Sequence, residues 1–291
     1  MFFPTQIPRS SPLLSQQSIP VPKAPLQYRV YSLDRSLVHT LTIPSDARFT
    51  VQPVVTKQLE LVKTLALQHQ AIAAINGGFF DPGNQRSTSY VMVRGKLVAD
   101  PRSNPRLMSN PDLVPYLSKI LNRTELRRYQ CSSHLQQASQ PKYRYTLVLH
   151  SASVSPDCEL LDRLGAGPQL LPRLTLVEEG FLAYDTGKIP IRDPLGSFQP
   201  NARSAIGLRK DGSLVMMMAA QKPGMAVPSG MSLPELAEFM KTLGVDQAMN
   251  LDGGSSTSFY YQGKSFYGKL DETGTFIQRP VKSALILQAI N

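Results

Sequence analysis

The chain has 291 residues, 42% of them hydrophobic and 18% charged, which is enough for a substantial core in one large domain or two small ones. No stretch approaches the ~20 consecutive apolar residues that a membrane-spanning helix needs. The net charge of +10 attracts anions such as sugar phosphates and anionic polysaccharide, although it also serves simple solubility. Because the basic residues are scattered and no nucleic-acid-binding motif accompanies them, we expect no binding to nucleic acid.

The first 25 residues differ in composition from the rest of the chain. They contain six prolines and no continuous apolar stretch, so they are not a signal peptide as written. We interpret residues 1–25 as a Pro-rich disordered leader or linker, and residues 26–291 as a single folded domain.

The first half of this domain mixes strand and helix patterns. In chain order we predict a strand pair (Leu26–Leu33 and Leu37–Ile43), an edge strand (Thr50–Val55), a helix capped by its first residue (Thr56–Gln70), a central strand (Ala71–Ile75) and a hairpin (Ser89–Val93 and Lys96–Ala99). A polar, basic insertion follows over residues 101–144. It contains the densest basic pair of the chain, Arg127 and Arg128, and its middle has a helical pattern.

The second half has clearer signals. We predict a strand (Tyr145–His150), a hairpin (Ala205–Leu208 and Ser213–Met218), a helix (Ser232–Leu243) and a final strand (Val281–Leu287). Ser232 and Glu235 have the spacing of a capping box at the start of that helix. Many strands and a few helices without strict alternation indicate an α+β fold, with a mixed, largely antiparallel sheet and a few packed helices.

Two cysteines, Cys131 and Cys158, lie 27 residues apart and lack the close spacing of a metal site. They form one disulfide if the protein is exported, or remain two buried thiols if it is not. The polar surroundings of Cys131 favour the disulfide, because a buried free thiol is less natural in such a stretch.

The most informative segment is Asn250–Ser258, where an apolar strand runs into Asp252, two glycines and a series of hydroxyls. Turn amides and hydroxyls of this kind form a concave site for an anion, and the carboxylate supplies an acid, a base or a metal ligand. The same pattern also fits a plain hairpin in which Ala248–Leu251 pairs with Phe259–Tyr261.

Three further polar clusters accompany apolar strands: Asn76–Asp81, Gly165–Pro168 and Asn201–Ser204. The guanidinium of Arg203 is suited to a phosphate or carboxylate, and Asp81 together with Asp252 offers two carboxylates for acid–base work. The four histidines lie outside these clusters and lack metal spacing, so we predict no metal ligands and no cofactor. Calcium bound by Asp81, Asp252 and backbone carbonyls stays open as an alternative.

Taken in order, the four clusters resemble the phosphodiester glycosidase family, whose bacterial members are often described as exopolysaccharide-related. The similarity rests on AAINGGFF at Ala73–Phe80, GAGPQLL at Gly165–Leu171, NARSAIG at Asn201–Gly207 and NLDGGSST at Asn250–Thr257. It spans roughly Leu26–Leu287 and implies an extracytoplasmic hydrolase of sugar-1-phosphodiesters, from the cell envelope or exopolysaccharide. One departure is Ser255, where relatives commonly have a third glycine, and it implies altered substrate fit.

The resemblance implies an active cleft that contains three catalytic residues, Asn76, Arg203 and Asp252. Arg203 and the turn amides would hold the phosphate, Asp252 would activate water or protonate the leaving oxygen, and Asn76 and Asn250 would hold sugar hydroxyls. The predicted substrate-binding residues are Gly77, Gly78, Asp81, Asn201, Asn250, Gly253, Gly254, Ser255 and Ser256. The alternatives are a non-catalytic envelope protein that binds anionic polysaccharide, and a phosphodiesterase for lipid-linked or nucleotide-sugar substrates.

Overall fold

A computed structural model describes residues 25–46, 48–131 and 143–290, so the predicted leader lies outside the described residues apart from Pro25. The helices are α1 (Val62–Gln68), α2 (Pro105–Met108), α3 (Leu117–Ile120) and α4 (Leu233–Thr242), with 3-10 turns at Pro101–Ser103, Val114–Tyr116 and Gly254–Ser256. The strands are β1 (Gln27–Ser32), β2 (Ser36–Ile43), β3 (Phe49–Glu60), β4 (Ala73–Asn76), β5 (Val91–Val93), β6 (Lys96–Ala99), β7 (Thr124–Cys131), β8 (Tyr143–Leu149), β9 (Cys158–Gly165), β10 (Gln169–Leu171), β11 (Ala183–Tyr184), β12 (Pro190–Arg192), β13 (Arg203–Leu208), β14 (Leu214–Gln221), β15 (Gln247–Asn250), β16 (Ser258–Tyr261), β17 (Lys264–Tyr267) and β18 (Val281–Ala289).

The strands form three main sheets and one short ribbon, β11–β12. The first sheet has the order β1-β2-β14-β13-β15-β10, the second β17-β16-β4-β18-β3, and the third β6-β5-β9-β7-β8. The strand pairs of the described residues are antiparallel, from the β1–β2 hairpin to the long-range pairing of β3 with β18. The predicted α+β class, with largely antiparallel sheet and few helices, is therefore confirmed. In the described part of the chain, no helix is long and apolar enough to cross a bilayer.

The inner faces of the three sheets share one hydrophobic core, and two helices cover outer faces. Leu41, Ile75 and Leu164 come from different sheets and meet in that core. Helix α4 packs its apolar stripe on the outer face of the first sheet, and α1 covers the outer face of the second. Strand β14 is consequently apolar on both faces, which explains the continuous run from Leu214 to Ala220.

Most predicted elements are present, including the capping box of α4, in which Ser232 and Glu235 bond reciprocally. The predicted helix Thr56–Gln70 is wrong at its start. Strand β3 continues to Glu60 at the edge of the second sheet, and α1 begins only at Val62 without a side-chain cap. Pairing with β18 outweighs the local capping signal of Thr56, whose hydroxyl instead donates to the Lys282 carbonyl.

The predicted basic insertion is also different from an exposed polar loop, because it contains β7, an interior strand of the third sheet. Arg127 is 1% exposed and its Nε donates to Glu125 at 2.6 Å. Arg128 pairs with Asp162 on the neighbouring β9. Both cations therefore neutralise buried carboxylates and do not contribute to a basic surface. Removing one partner of such a buried pair costs about 3–5 kcal/mol of stability.

The Asp252 segment does not form the plain hairpin that its Asp-Gly pair allows. Strand β15 belongs to the first sheet and pairs with β13, whereas β16 belongs to the second sheet and pairs with β4. Residues 251–257 therefore cross from one sheet to the other. Asp252 sits at this crossing, where loops of both sheets meet.

Candidate active site

The four glycine-containing or polar motifs converge on the backbone of Asp252. The Asn76 side-chain amide donates to the Asp252 carbonyl at 2.6 Å, and the Asp252 N–H donates to the Gly77 carbonyl at 3.0 Å. The Gly254 N–H donates to the Ala202 carbonyl at 2.8 Å. The Gly165–Pro168 motif reaches Asn250, two residues before Asp252, because the Gly167 N–H donates to the Asn250 carbonyl at 3.1 Å. Residues far apart in sequence thus fix the carboxylate at the crossing.

Asn76 lies behind the site and does not face a ligand. It is fully buried, and its carbonyl oxygen accepts from the Ser204 hydroxyl at 2.7 Å and the Ser258 N–H at 3.1 Å. Because Asn76 is fully buried and does not line the cavity, it is not placed to contact a sugar hydroxyl. The predicted sugar contact is therefore replaced by a positioning role for Asn76.

Gly77 and Gly78 provide close packing and do not offer amides to a substrate. The Gly77 N–H donates to the Ser283 carbonyl and the Gly78 N–H to the Ser283 hydroxyl. A Cβ atom at Gly78 would lie 2.3 Å from the Gly165 carbonyl oxygen, so only glycine lets the two loops touch. Both N–H groups are therefore engaged within the protein, and the predicted substrate contact of Gly77 and Gly78 has no free amide to use.

A cavity of about 540 Å³ opens in front of Asp252. Of the described residues that line it, only Asp252 is acidic. Three arginines, Arg123, Arg192 and Arg203, and several aromatic rings also line it. The segment predicted as a basic insertion, residues 101–144, contributes Leu107 and Ile120 to the cavity wall. The cavity is therefore a strongly cationic space around one carboxylate.

Burial raises the pKa of Asp252 to about 6, even though three groups favour its ionised form. These are the Ser256 hydroxyl, the charge of Arg279 and the Gly253 N–H, which donates to Asp252 Oδ1 at 3.0 Å. A carboxylate with a pKa near neutrality can accept a proton more strongly than an ordinary aspartate and is still ionised at pH 7. These properties suit a general base.

Most of the Arg203 guanidinium is bound to the backbone, which leaves one donor for the predicted grip on a phosphate. It is 2% exposed, and its guanidinium donates to the carbonyls of Met231, Leu195, Gly196 and Gln199 at 2.8–3.0 Å. Burial lowers its pKa to about 10. Four of its five donors are thus used to hold backbone carbonyls, although Arg203 still lines the cavity.

The turn after Asp252 is also less open than its glycines suggest. The Gly254 N–H is bound to Ala202, and the Ser256 N–H closes the 3-10 turn on the Gly253 carbonyl. Gly254 has φ +58°, which explains the need for glycine there. Of the turn amides, Gly253 to Ser256, only that of Ser255 lacks a partner in the described structure. The predicted cradle of amides is therefore reduced to one donor.

Arg279 is the functional candidate that the sequence motifs missed. It precedes β18, far from the four clusters, and its Nη1 donates to the Ser255 hydroxyl at 2.7 Å. Its guanidinium lies 5.1 Å from the centroid of the Phe80 ring, and its charge lowers the pKa of Asp252. The remaining guanidinium donors have no partner among the described residues. Ser255 thus orients a cation whose other terminal donors stay unpaired in the described structure and whose charge acts on Asp252.

Two asparagines that line the cavity retain polar atoms for a ligand. The Asn250 amide donates to the Gly167 carbonyl at 3.1 Å, which leaves its buried Oδ1 without a hydrogen-bond partner in the described structure. Asn201 Oδ1 accepts from the Ala202 N–H and from Lys269, whereas its side-chain N–H₂ is free of described partners. A buried orphan acceptor is costly, so Asn250 is suited to a hydroxyl donor.

Asp81 does not join Asp252 in a two-carboxylate site. Its carboxylate accepts from Arg106 at 2.8 Å and from the Gly83 N–H, and it does not line the cavity. Nowhere in the described ranges do three His, Cys, Asp or Glu side chains converge to hold a metal ion. The proposed sharing of calcium between Asp81 and Asp252 is therefore not supported by their placement.

Fold and site together define a hydrolase-type cavity on an antiparallel α+β scaffold. The family model for phosphodiester glycosidases matches residues 69–288, and the chain belongs to this family of hydrolases. No curated protein matches the chain.

Solved structures share the fold. The zebrafish N-acetylglucosamine-1-phosphodiester alpha-N-acetylglucosaminidase catalytic domain, auto-inhibited by its pro-peptide, is 16% identical with a TM-score of 0.60, over 94% of this chain and 85% of that one. A hypothetical protein from Synechocystis is 17% identical with a TM-score of 0.57, and the match covers 91% of this chain but only 62% of that protein. A protein from Burkholderia pseudomallei K96243, described as exported, is 18% identical with a TM-score of 0.57, over 87% and 74% of the two chains.

Proposed function

We propose that the protein hydrolyses the anomeric C–O bond of a sugar-1-phosphodiester, releasing the free sugar and a phosphomonoester. The observation that carries this proposal is the Asp252 carboxylate, whose pKa is raised, in a cavity lined by three arginines. The partly free guanidinium of Arg279 is hydrogen-bonded to Ser255 in the wall of this cavity. The family and the name of the zebrafish relative support the same bond type.

The single carboxylate fits a phosphate leaving group. Ionised Asp252 accepts a proton from water, the water oxygen bonds to the anomeric carbon, and the electron pair of the C–O bond leaves with the phosphate. A phosphomonoester has a second pKa of about 6, so it departs as an anion without a proton from a second acid. Arg279 and the Ser255 N–H stabilise the charge that develops on it. We therefore assign no acid role to Asp81.

The sugar is held by the two asparagines next to the carboxylate. We assign the orphan Oδ1 of Asn250 to a sugar hydroxyl that donates, and the free side-chain amide of Asn201 to an oxygen that accepts. These contacts set the anomeric carbon against Asp252. The proposed reaction uses no metal ion.

The expected pH profile tests the base role of Asp252. Because only the ionised form accepts a proton, kcat/KM should fall about tenfold per pH unit below pH 6 and level off above it. Purified protein is assayed for release of free sugar from a panel of sugar-1-phosphodiesters, with and without chelator. In ¹⁸O-labelled water the label should enter the sugar.

Three results would contradict this proposal. Label in the phosphate would mean that the P–O bond breaks. Activity that declines above pH 6 would assign Asp252 the role of an acid. Tight binding without release of sugar or phosphate would favour a non-catalytic polysaccharide-binding protein.

We further propose that the protein works outside the cytoplasm, on an envelope or exopolysaccharide glycan. Cys131 and Cys158 are disulfide-bonded between the neighbouring strands β7 and β9, which suits an oxidising compartment. Thiol titration of native protein, unfolded without reductant, should find no free thiol, and two after reduction. Two free thiols before reduction would contradict export.

A further inference from the structure

Arg123 presents an unpaired cation to the cavity from a nearly buried position. It is 9% exposed, its Nε donates to the Glu179 carbonyl at 3.1 Å, and its guanidinium lies 3.7 Å from the centroid of the Phe181 ring. Its two terminal nitrogens have no partner among the described residues, and Arg123 lines the cavity. The donors that face the ligand space are therefore free.

In the described part of the chain, no carboxylate forms an ion pair with the Arg123 guanidinium. Glu179 is the acidic residue whose charge acts on Arg123, and it is fully buried. Its carboxylate already accepts four hydrogen bonds, from the N–H and the hydroxyl of Thr124, from the Gln169 N–H and from the Thr175 hydroxyl. Burial lowers the pKa of Arg123 to about 9, the Glu179 charge opposes this, and the nearby charge of Arg192 lowers it further. Because the positive charges of Arg123 and Arg192 are close together and no ion pair neutralises them in the described structure, they favour the binding of an anion.

Arg192 reaches the same wall from β12. Its Nε donates to the Gly180 carbonyl at 2.9 Å, and its guanidinium lies 4.8 Å from the centroid of the Tyr116 ring. These two contacts orient the Arg192 guanidinium and leave its terminal nitrogens free of described partners. Arg123 and Arg192 thus form a pair of pre-oriented donors.

The pair lies on the sugar side of the site. Gly167 lies between Asn250 and the residues that contact Arg123. Its carbonyl accepts from the Asn250 amide, and a Cβ atom at Gly167 would lie 2.2 Å from Glu179 Oε2 and 3.2 Å from the Phe181 ring. Arg279, in contrast, contacts Phe80 and Ser255 and acts on the charge of Asp252. Among the described residues, Arg279 thus contacts Ser255 and Phe80, whereas Arg123 contacts Glu179, Phe181 and Phe79.

We infer that Arg123 and Arg192 form a second anion subsite, which binds an acidic group carried by the sugar ring itself, a carboxylate or a second phosphate. The substrate is then an acidic sugar-1-phosphodiester with two negatively charged groups. This inference rests on the proposed function, because it takes the sugar to lie at Asn250 and the phosphodiester at Arg279.

Three methyl phosphodiesters that differ only at C6 of the sugar test the inference: those of glucose, of glucuronic acid and of glucose 6-phosphate, each linked through C1. The protein should hydrolyse at least one acidic probe with kcat/KM about tenfold or more above the glucose probe. The preference between the two acidic probes identifies the group. Arg123→Gln should reduce the ratio to near one.

The matched control is Arg173→Gln, which removes the same charge from a side chain that is 69% exposed and outside the cavity, and it should leave the ratio unchanged. If Arg123→Gln does not fold, Arg192→Gln, at a less buried position, gives the same comparison. Equal rates on all three probes, or a preference that survives both cavity variants, would overturn the inference. If no probe is hydrolysed, the proposed function fails for these esters, and calorimetric binding decides: tighter binding of an acidic probe that Arg123→Gln abolishes upholds the subsite, and equal binding rejects it.

Discussion

Asp252→Asn is expected to lower kcat/KM for a sugar-1-phosphodiester by at least about 10³-fold, because the amide cannot accept a proton from water. The neutral side chain keeps the shape of the carboxylate and the oxygen that accepts from the Gly253 N–H. The loss should lie mainly in kcat, measured by release of free sugar at pH 7.5 under saturating substrate.

The same substitution should not destabilise the protein, which separates a functional from a structural aspartate. The pKa of Asp252 is higher in the folded protein, about 6, than its ordinary value of 3.8. This group therefore favours folding fully below pH 3.8, and its contribution is lost as the pH rises through 6. Well above pH 6 the variant should be more stable than the wild type by about 3 kcal/mol, and the difference should shrink towards pH 4.

Denaturant unfolding at pH 4 and pH 8 measures this difference. Asp157→Asn is the matched control, because Asp157 is exposed on the loop before β9 and outside the cavity. It should change neither rate nor stability. An Asp252→Asn protein that loses stability and activity together would show that the carboxylate supports the sheet crossing and not the reaction.

Arg279→Met should lower kcat/KM by about 10²-fold, since one well-placed donor to a developing charge contributes about 3 kcal/mol. Its guanidinium makes one side-chain hydrogen bond, to Ser255, so the midpoint of denaturant unfolding should hardly change. Arg279→Lys should recover part of the activity, because it restores the charge but not the planar fork.

Arg203→Met provides the contrast with a buried arginine of the same cavity. Four carbonyls would lose their donor, and we expect the free energy of unfolding to fall by at least about 3 kcal/mol. If Arg279→Met proved the more destabilising variant and Arg203→Met lost activity without stability, the two arginines would have exchanged roles. Denaturation curves and rates on the same preparations decide this.

The sequence was sufficient to locate the site but not to assign its cations. The glycines at 77, 78 and 254 and the aspartate at 252 are local signals, since close contact and positive φ restrict the residue type at single positions. Arg203 has the chemistry of a phosphate ligand, yet its role depends on four carbonyls of a loop whose path no local pattern records.

Arg123 and Arg279 were missed for the converse reason. Neither stands in a glycine-rich motif. The position of β7 brings Arg123 to the cavity, and the position of β18 brings Arg279 to the cavity-lining residues Ser255 and Phe80. The buried β7 likewise escaped notice, because Arg127 and Arg128 read as surface charges until their acidic partners are known. The order of the four motifs indicated that they belong to one site. The hydrophobic periodicity of a sequence, however, describes local structure and does not predict contacts between residues about 100 or more positions apart.

Asp252 and part of the cavity wall lie on different kinds of structure. The carboxylate is anchored where two sheets join, whereas Leu107 and Ile120 of the opposing wall belong to the segment between β6 and β7, which is built from short helices and turns. Loops on a rigid scaffold tolerate change far better than the scaffold does. If the proposed function holds, changes in this wall are expected to alter which substrates are accepted with little effect on the position of Asp252.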